Sequence, residues 1–286
     1  MCKKVSCIIR TYNEANYLGE LIEALRAQAS FCYDLEIVVV DSGSKDSTVA
    51  IARHHGATLI EIPKAEFNYS KALNLGIEHS TGELILIMSA HAIPCQDEWL
   101  QKMLSNFKND SVAAVYCRQV PWAGADWREV SRIADAFGSE SRVFCKDSFD
   151  QEICFSNAAS CIRRSVWEKQ SFVVMPAAED REWASWAVRN GYTIVYEAEV
   201  QVYHSHDDSC RKAAQRRIEV EKTVDIKLAR NRNIFFTCKQ AIGWVCKDIR
   251  HIMSLNNNRW KKPKMIMDCF VCGYWYIVDF GGKSVE

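Results

Sequence analysis

Much is missing from this chain of 286 residues, and each absence removes a class of answer. It does not open with a basic stretch, an apolar run and a small-residue cleavage site, so the reading is against export and for a cytosolic protein. It has no internal repeat and no low-complexity tract, which excludes a solenoid or a disordered linker protein. No apolar run is long enough to span a bilayer: 265–280 is the nearest, at about sixteen residues where about twenty are needed, and Asp268 and Asp279 interrupt it. A helix lying in or on an interface suits that segment better. Thirteen cysteines, from Cys2 to Cys272, are scattered without the two Cys-x-x-Cys pairs of a four-thiolate zinc site. They read as buried, reduced thiols that pack like small hydrophobes. Net charge is absent too, with 36 Lys and Arg against 36 Asp and Glu. That balance hides a separation, because 209–264 holds fifteen Lys and Arg against Glu219, Glu221, Asp225 and Asp248. Such a tail calls for an anionic partner, membrane or nucleic acid. No recognisable nucleic-acid module accompanies the charge, so nucleic acid is not expected.

What is present is an ordinary globular composition, 48% apolar and 25% charged. Apolar runs at 5–9, 35–40, 58–62 and 84–88 read as strands. Between them, helices are expected over about 14–28, from Asp46 or Ser47 to near Gly56, and over 70–79. Strands alternating with helices imply right-handed parallel crossovers and a doubly wound α/β sheet. Further on, a helix is expected over 98–107, strands over 112–117 and 153–162, a helix over 179–190, and two short strands within 193–203. The segment 122–151 reads as a helix and a mobile loop over the sheet edge. Beyond Cys210 the sequence is basic and helix-friendly. The expected division is a sheet domain over 1–208 and a helical region over 209–286, membrane-associating or oligomerising.

Three of the early strands end in polar clusters: Arg10-Thr11-Tyr12-Asn13-Glu14, Asp41-Ser42-Gly43-Ser44-Lys45-Asp46, and Ser89-Ala90-His91-Ala92-Ile93-Pro94. Open α/β sheets bind ligands at that edge. Asp41 reads as a ligand carboxylate or as a cap of its own loop, for which Ser44, Asp46 and Ser47 are also available. Lys71 and Asn74 lie three apart on one helix face. His204 and His206 lie two apart, so only one of them faces a given site.

The stretch 5–14, the run Glu36-Ile-Val-Val-Val-Asp-Ser-Gly-Ser-Lys-Asp46, the run Phe67-Asn-Tyr-Ser-Lys-Ala-Leu-Asn-Leu-Gly76, the Ala-Ile-Pro after His91 and the Glu179-Asp180 pair come in one order. Together they resemble the family 2 glycosyltransferases of the GT-A fold, and within them bacterial rhamnosyltransferase-like enzymes of surface-polysaccharide assembly. The resemblance implies a Rossmann-like, mixed but mainly parallel sheet flanked by helices, with the basic helical tail as an extension. It implies nucleotide contacts from Thr11, Tyr12, Asn13, Glu14, Asp41, Lys71 and Asn74. Asp180 matches the family's catalytic base, with Glu179 in reserve, and Trp183 and Trp186 resemble a sugar-stacking or packing wall on the acceptor side. Where the family commonly carries a metal-binding Asp-x-Asp, this chain has Ser89-Ala90-His91. Three roles for His91 stay open: ligand to a softer ion such as Mn²⁺, direct partner of the diphosphate, or structural group; Mg²⁺ prefers oxygen ligands. His204, ahead of His206, matches the family's late metal or diphosphate histidine.

The expected activity is inverting transfer from a UDP- or dTDP-type sugar to a glycan or lipid-linked acceptor, with a divalent metal, Mn or Mg, as a conditional cofactor. An anionic membrane surface and a second copy of the chain are further expected partners. Two other readings remain at this point. A sugar-phosphate nucleotidyltransferase shares the sheet, but the loop after strand one has no glycine before Gly19. A non-catalytic nucleotide-sugar-binding protein would explain the missing aspartate motif.

Overall fold

The computed structural model describes residues 3–29, 33–148, 153–206, 208–227, 234–254 and 262–281. They form two compact units. The first comprises Met1–Ala123, Ile133–Met175 and Glu179–Ser205; the second comprises Gly124–Arg132, Pro176–Ala178 and His206–Glu286.

The first unit opens as the alternation requires: β1 (Lys3–Thr11), α1 (Leu18–Gln28), β2 (Tyr33–Asp41), α2 (Thr48–His54), β3 (Thr58–Glu61), α3 (Tyr69–Glu78) and β4 (Leu84–Ser89). β3, β2, β1 and β4 lie side by side and parallel. Side chains alternate across β1, and each face has its own core. Val5, Cys7 and Ile9 pack with Leu18, Leu21 and Leu25 of α1. Ile8 packs on the other face with Leu73 and Ile77 of α3. The last two β1 residues inherit this parity, which sends Arg10 and Thr11 to opposite faces at the ligand edge.

After β5 (Ile93–Pro94) and α4 (Trp99–Ser105) come β6 (Val112–Val120), α5 (Trp127–Ala136), β7 (Arg142–Phe144), β8 (Ala159–Arg163), α6 (Arg164–Trp167), α7 (Glu179–Arg189) and β9 (Thr193–Tyr203). These make the sheet mixed: β8 is antiparallel to both β4 and β6, while β6 and β9 run parallel. Two sequence expectations are corrected here. The strand expected over 153–162 begins only at Ala159, because side chains capture the backbone before it. Ser156 Oγ accepts from Ala158 N at 3.3 Å, and the Asp180 carboxylate accepts from Asn157 N at 3.2 Å. The two strands expected within 193–203 are one, and its register against β6 jumps from Cys117–Glu197 to Arg118–Gln201. Ala198–Val200 are thus spliced out of the ladder, a bulge that bends one strand in place of a break. Of the expected mobile loop, 149–151 lie outside the described residues.

The second unit carries α8 (Cys210–Lys227), α9 (Ile234–Ser254) and α10 (Lys262–Gly281), with α10 packed on both others. Its buried contacts are small clusters, such as Ala214, Ile218, Ala241 and Tyr276. Trp260 of this basic tail lies outside the described residues. Among the described residues no helix is long and apolar enough to cross a membrane.

Candidate active site

Thr11 ends β1 and Asp41 ends β2 in register, and the Thr11 hydroxyl donates to Asp41 Oδ2 at 2.8 Å. Asp41 is 1% exposed. Its Oδ1 accepts from Gly43 N (3.0 Å) and Ser44 N (2.8 Å), and its Oδ2 also accepts from Ser44 Oγ (2.5 Å). Of the two roles the sequence left open for Asp41, the cap of its own loop is the one these bonds show: Asp41 holds the turn, which needs glycine at position 43 where φ is +84°. Asp46 caps α2 through Thr48 N at 3.0 Å, and Ser47 makes no side-chain cap. The β1 loop is tied to this one: Asn13, itself at φ +57°, accepts from Lys45 N at 2.8 Å, and Glu14 N donates to Thr48 Oγ1 at 2.7 Å. Tyr12 stays exposed beside the tie. The Lys64 ammonium donates to its hydroxyl at 2.6 Å and lies 4.2 Å from its ring centroid, pulling the phenol below its ordinary pKa.

His91 follows β4. Its Nδ1 lies 3.1 Å from Glu14 Oε1, so the Glu14 carboxylate orients His91 from inside the same edge. His204, 4% exposed, places Nδ1 2.8 Å from the Gln119 amide oxygen. A carboxylate and an amide oxygen can only accept, so each ring has a proton on Nδ1, and Nε2 is the nitrogen left to act as an acceptor in the neutral tautomer. The rings stack at 4.9 Å between centroids and 11° between planes, with ligand-capable nitrogens within 4.8 Å of each other. Two imidazoles, one buttressed by a carboxylate and one by an amide, fit a Mn²⁺-type ion better than Mg²⁺. His206, the second choice in the sequence, falls at the start of the other unit.

On the opposite face, Arg10 places Nη1 3.6 Å from Glu179 Oε1 and its guanidinium carbon 4.9 Å from the Tyr69 ring centroid. Glu179 and Asp180 open α7. Burial, then the neighbouring Asp180 charge, pushes the Glu179 carboxyl up to about 6, against the pull of Arg10 and Asn157. Asp180 is more open and is held by backbone: Oδ2 accepts from Asn157 N at 3.2 Å and Oδ1 from Arg181 N at 2.8 Å. Thr11 with Asp41 and Arg10 with Glu179 are thus two separate side-chain contacts, related because Arg10 precedes Thr11 and Glu179 precedes Asp180 in the chain.

Several expected site residues lie elsewhere. Asn74 spends its amide oxygen and one amide N–H on backbone and indole: Nδ2 donates to Phe172 O at 2.8 Å, and Oδ1 accepts from Phe172 N and Trp167 Nε1, both at 3.1 Å. It clamps the 167–172 segment, while Lys71 on the next turn stands exposed, so the shared face does not bring them together. Trp183 is fully buried, donates Nε1 to Gln170 O at 2.6 Å and packs against Phe155 and Phe172. An indole with no exposed face cannot stack a sugar, so the expected wall is core at that position; Trp186 is half-buried between Trp183 and Tyr192. Arg10, Asn157, Gln119 and Lys64 were missed. Arg10 stood inside the first motif, and β1 parity against Ile8 was the signal that could have assigned it; the other three have partners too far away in sequence to leave one.

The family model "Glycosyl transferase family 2" matches residues 6–168. The chain is 30% identical over 223 residues to the O-antigen chain rhamnosyltransferase RfbN of Salmonella typhimurium, an alignment covering 74% of this chain and 70% of that one. Among solved structures it is similar to the mannosyltransferase PcManGT from Pyrobaculum calidifontis in complex with GDP-Man and Mn²⁺, with TM-score 0.63, 18% identity, and 98% of this chain and 88% of that one covered. It is similar also to glucosyl-3-phosphoglycerate synthase from Mycobacterium tuberculosis with Mn²⁺, UDP and glucosyl-3-phosphoglycerate, with TM-score 0.56, 13% identity and 80% of each chain covered. These likenesses decide against a nucleotidyltransferase and against a protein without catalysis. With the strand-edge site, the mixed sheet and the sequence match in agreement, this chain belongs to glycosyl transferase family 2 and is an enzyme of the GT-A fold.

Proposed function

We propose that this enzyme moves a sugar, with inversion, from a nucleoside diphosphate donor of UDP or dTDP type to a hydroxyl of a glycan or lipid-linked acceptor in bacterial surface-polysaccharide assembly. The observation that carries the reading is that adjacent residues at the end of β1 reach both acids, Thr11 donating to Asp41 and Arg10 lying beside Glu179, the neighbour of Asp180 at the start of α7. The likeness to the Salmonella O-antigen chain rhamnosyltransferase supports the polysaccharide context. Enzymes of this kind work on the cytoplasmic side, at the inner face of the membrane if the acceptor is lipid-linked.

In this reading the base lies against Tyr12 and the 41–44 loop, and the diphosphate lies toward His91 and His204. Asp180 takes the acceptor O–H proton. The acceptor oxygen forms its bond to the anomeric carbon as the carbon–oxygen bond to the diphosphate breaks, the electron pair leaving with the diphosphate. The backbone donors on both Asp180 oxygens fix the carboxylate for that transfer, and Glu179 with Arg10 forms the floor beside it. The donor set at His91 and His204 fits a Mn²⁺-type ion, which when bound would neutralise charge on the leaving diphosphate.

Asp180→Asn tests the assignment, because it keeps the shape and the backbone bonds of Oδ1 while removing the base. Across a panel of UDP, dTDP and GDP sugars, turnover should fall by at least about a thousandfold with nucleotide binding unchanged. Full turnover in the variant would remove Asp180 as the base.

A further inference from the structure

In the second unit α10 is apolar on both its inward and its outward side. The inward side of α10 carries Met265, Cys269 and Tyr276, while its outward side carries Met267, Phe270, Tyr274 and Val278 at spacings of three, four and four, 39–63% exposed. Large apolar groups aligned along a solvent face are the exception on a soluble surface. Both acids of the helix lie off this ridge. Asp279 accepts from Gln215 Nε2 at 3.1 Å and pairs with Arg211 at 3.5 Å, and Asp268 sits about 100° around the helix from Met267. The outward face of α9 repeats the pattern with charge added: Lys239, Ile242, Cys246, Arg250 and Met253 stand exposed at spacings of three, four, four and three. The one acid of α9, Asp248, is half-buried and acts on Arg217.

We propose that the outward faces of α9 and α10 dock on an anionic lipid surface, the α10 ridge entering the interfacial zone and the α9 cations meeting headgroup phosphates. Charge selects this occupant. Neither face carries an acid among its described side chains, and the α9 face carries Lys239 and Arg250, so the two together complement a negative partner, whereas a second copy would bring Lys239 and Arg250 against their like. The inference deepens the proposed placement at a membrane and rests on that reading for its purpose, yet its test needs no sugar transfer.

The full chain should float with vesicles of phosphatidylcholine containing about one quarter phosphatidylglycerol at about 0.15 M salt, bind phosphatidylcholine alone far less, and release as salt rises. Phe270→Glu with Tyr274→Glu should abolish flotation. Lys239→Glu with Arg250→Glu should weaken it by at least about tenfold and flatten its salt dependence. Unchanged helical circular dichroism and melting in both variants keep the comparison on the surface. Absence of flotation with either vesicle overturns the proposal, as does equal binding to both. So does a lipid-free dimer that the Phe270→Glu, Tyr274→Glu variant converts to monomer, since the ridge would then be a protein interface. None of these outcomes bears on Asp180, so a failure here leaves the transfer reading standing.

Discussion

The two units break the ordinary rule of burial in opposite directions. In the first, polar groups are taken out of water at the strand ends: Asp41, Glu179 and His204 are each no more than 5% exposed. In the second, large apolar groups are left in it: Met267, Phe270 and Tyr274 are each more than half exposed. A buried polar group is costly unless it is satisfied, and an exposed apolar ridge invites association. Each unit therefore departs from a stability optimum where its chemistry would be done, one for a small polar ligand and the other for a surface. Asn74 gives the comparison its edge, because its half-buried amide, expected to meet a ligand, is spent on the fold itself.

Asn74→Ala should accordingly have the largest effect on folding. It strands Phe172 N, Phe172 O and Trp167 Nε1, for a loss of about 3 kcal/mol by denaturant unfolding. The affinity for a nucleoside diphosphate should hold; a large loss of affinity in a fully stable variant would move Asn74 back among the ligand groups.

A smaller effect is expected at Glu179. Its carboxyl stands at about 6 in the folded chain against an ordinary 4.5, so between those values the folded state binds the proton that the unfolded state has released. Stability from this group is present below about pH 4.5 and is lost as pH rises through about 6. Subtracting the Glu179→Gln profile from the wild-type profile should leave a decline of about 2 kcal/mol between pH 4 and pH 7. A flat difference would mean that Arg10 outweighs burial, and the floor beside Asp180 would be an ordinary ion pair.

The parallel half of the sheet was legible in the sequence because the β1, β2 and β4 runs are dominated by apolar residues, with Ser6 and Glu36 the polar exceptions, and each ends in a polar cluster. The Thr11–Asp41 edge followed from that alone. The pairing of Glu14 with His91 was not legible, since 77 residues separate them and either group reads equally well as a ligand contact. The same holds for Gln119 under His204, 85 residues apart. Strand propensity over 153–158 lost to the side chains of Ser156 and Asp180, which accept from the backbone N–H groups of Ala158 and Asn157 in place of a neighbouring strand. Trp183 shows the limit of motif reading: an indole after an acidic pair looks like a sugar platform until its burial is known.

The central claim is that a nucleoside diphosphate seats at this strand edge, between the Asp41 loop and Asp180, with its phosphates toward His91 and His204. Anomalous diffraction from crystals grown with UDP and MnCl₂ tests it most directly. The account predicts a manganese peak on the Nε2 atoms of both histidines, with the diphosphate on the ion and the base against Tyr12. A diphosphate on another face, or manganese bound away from both histidines, would contradict it.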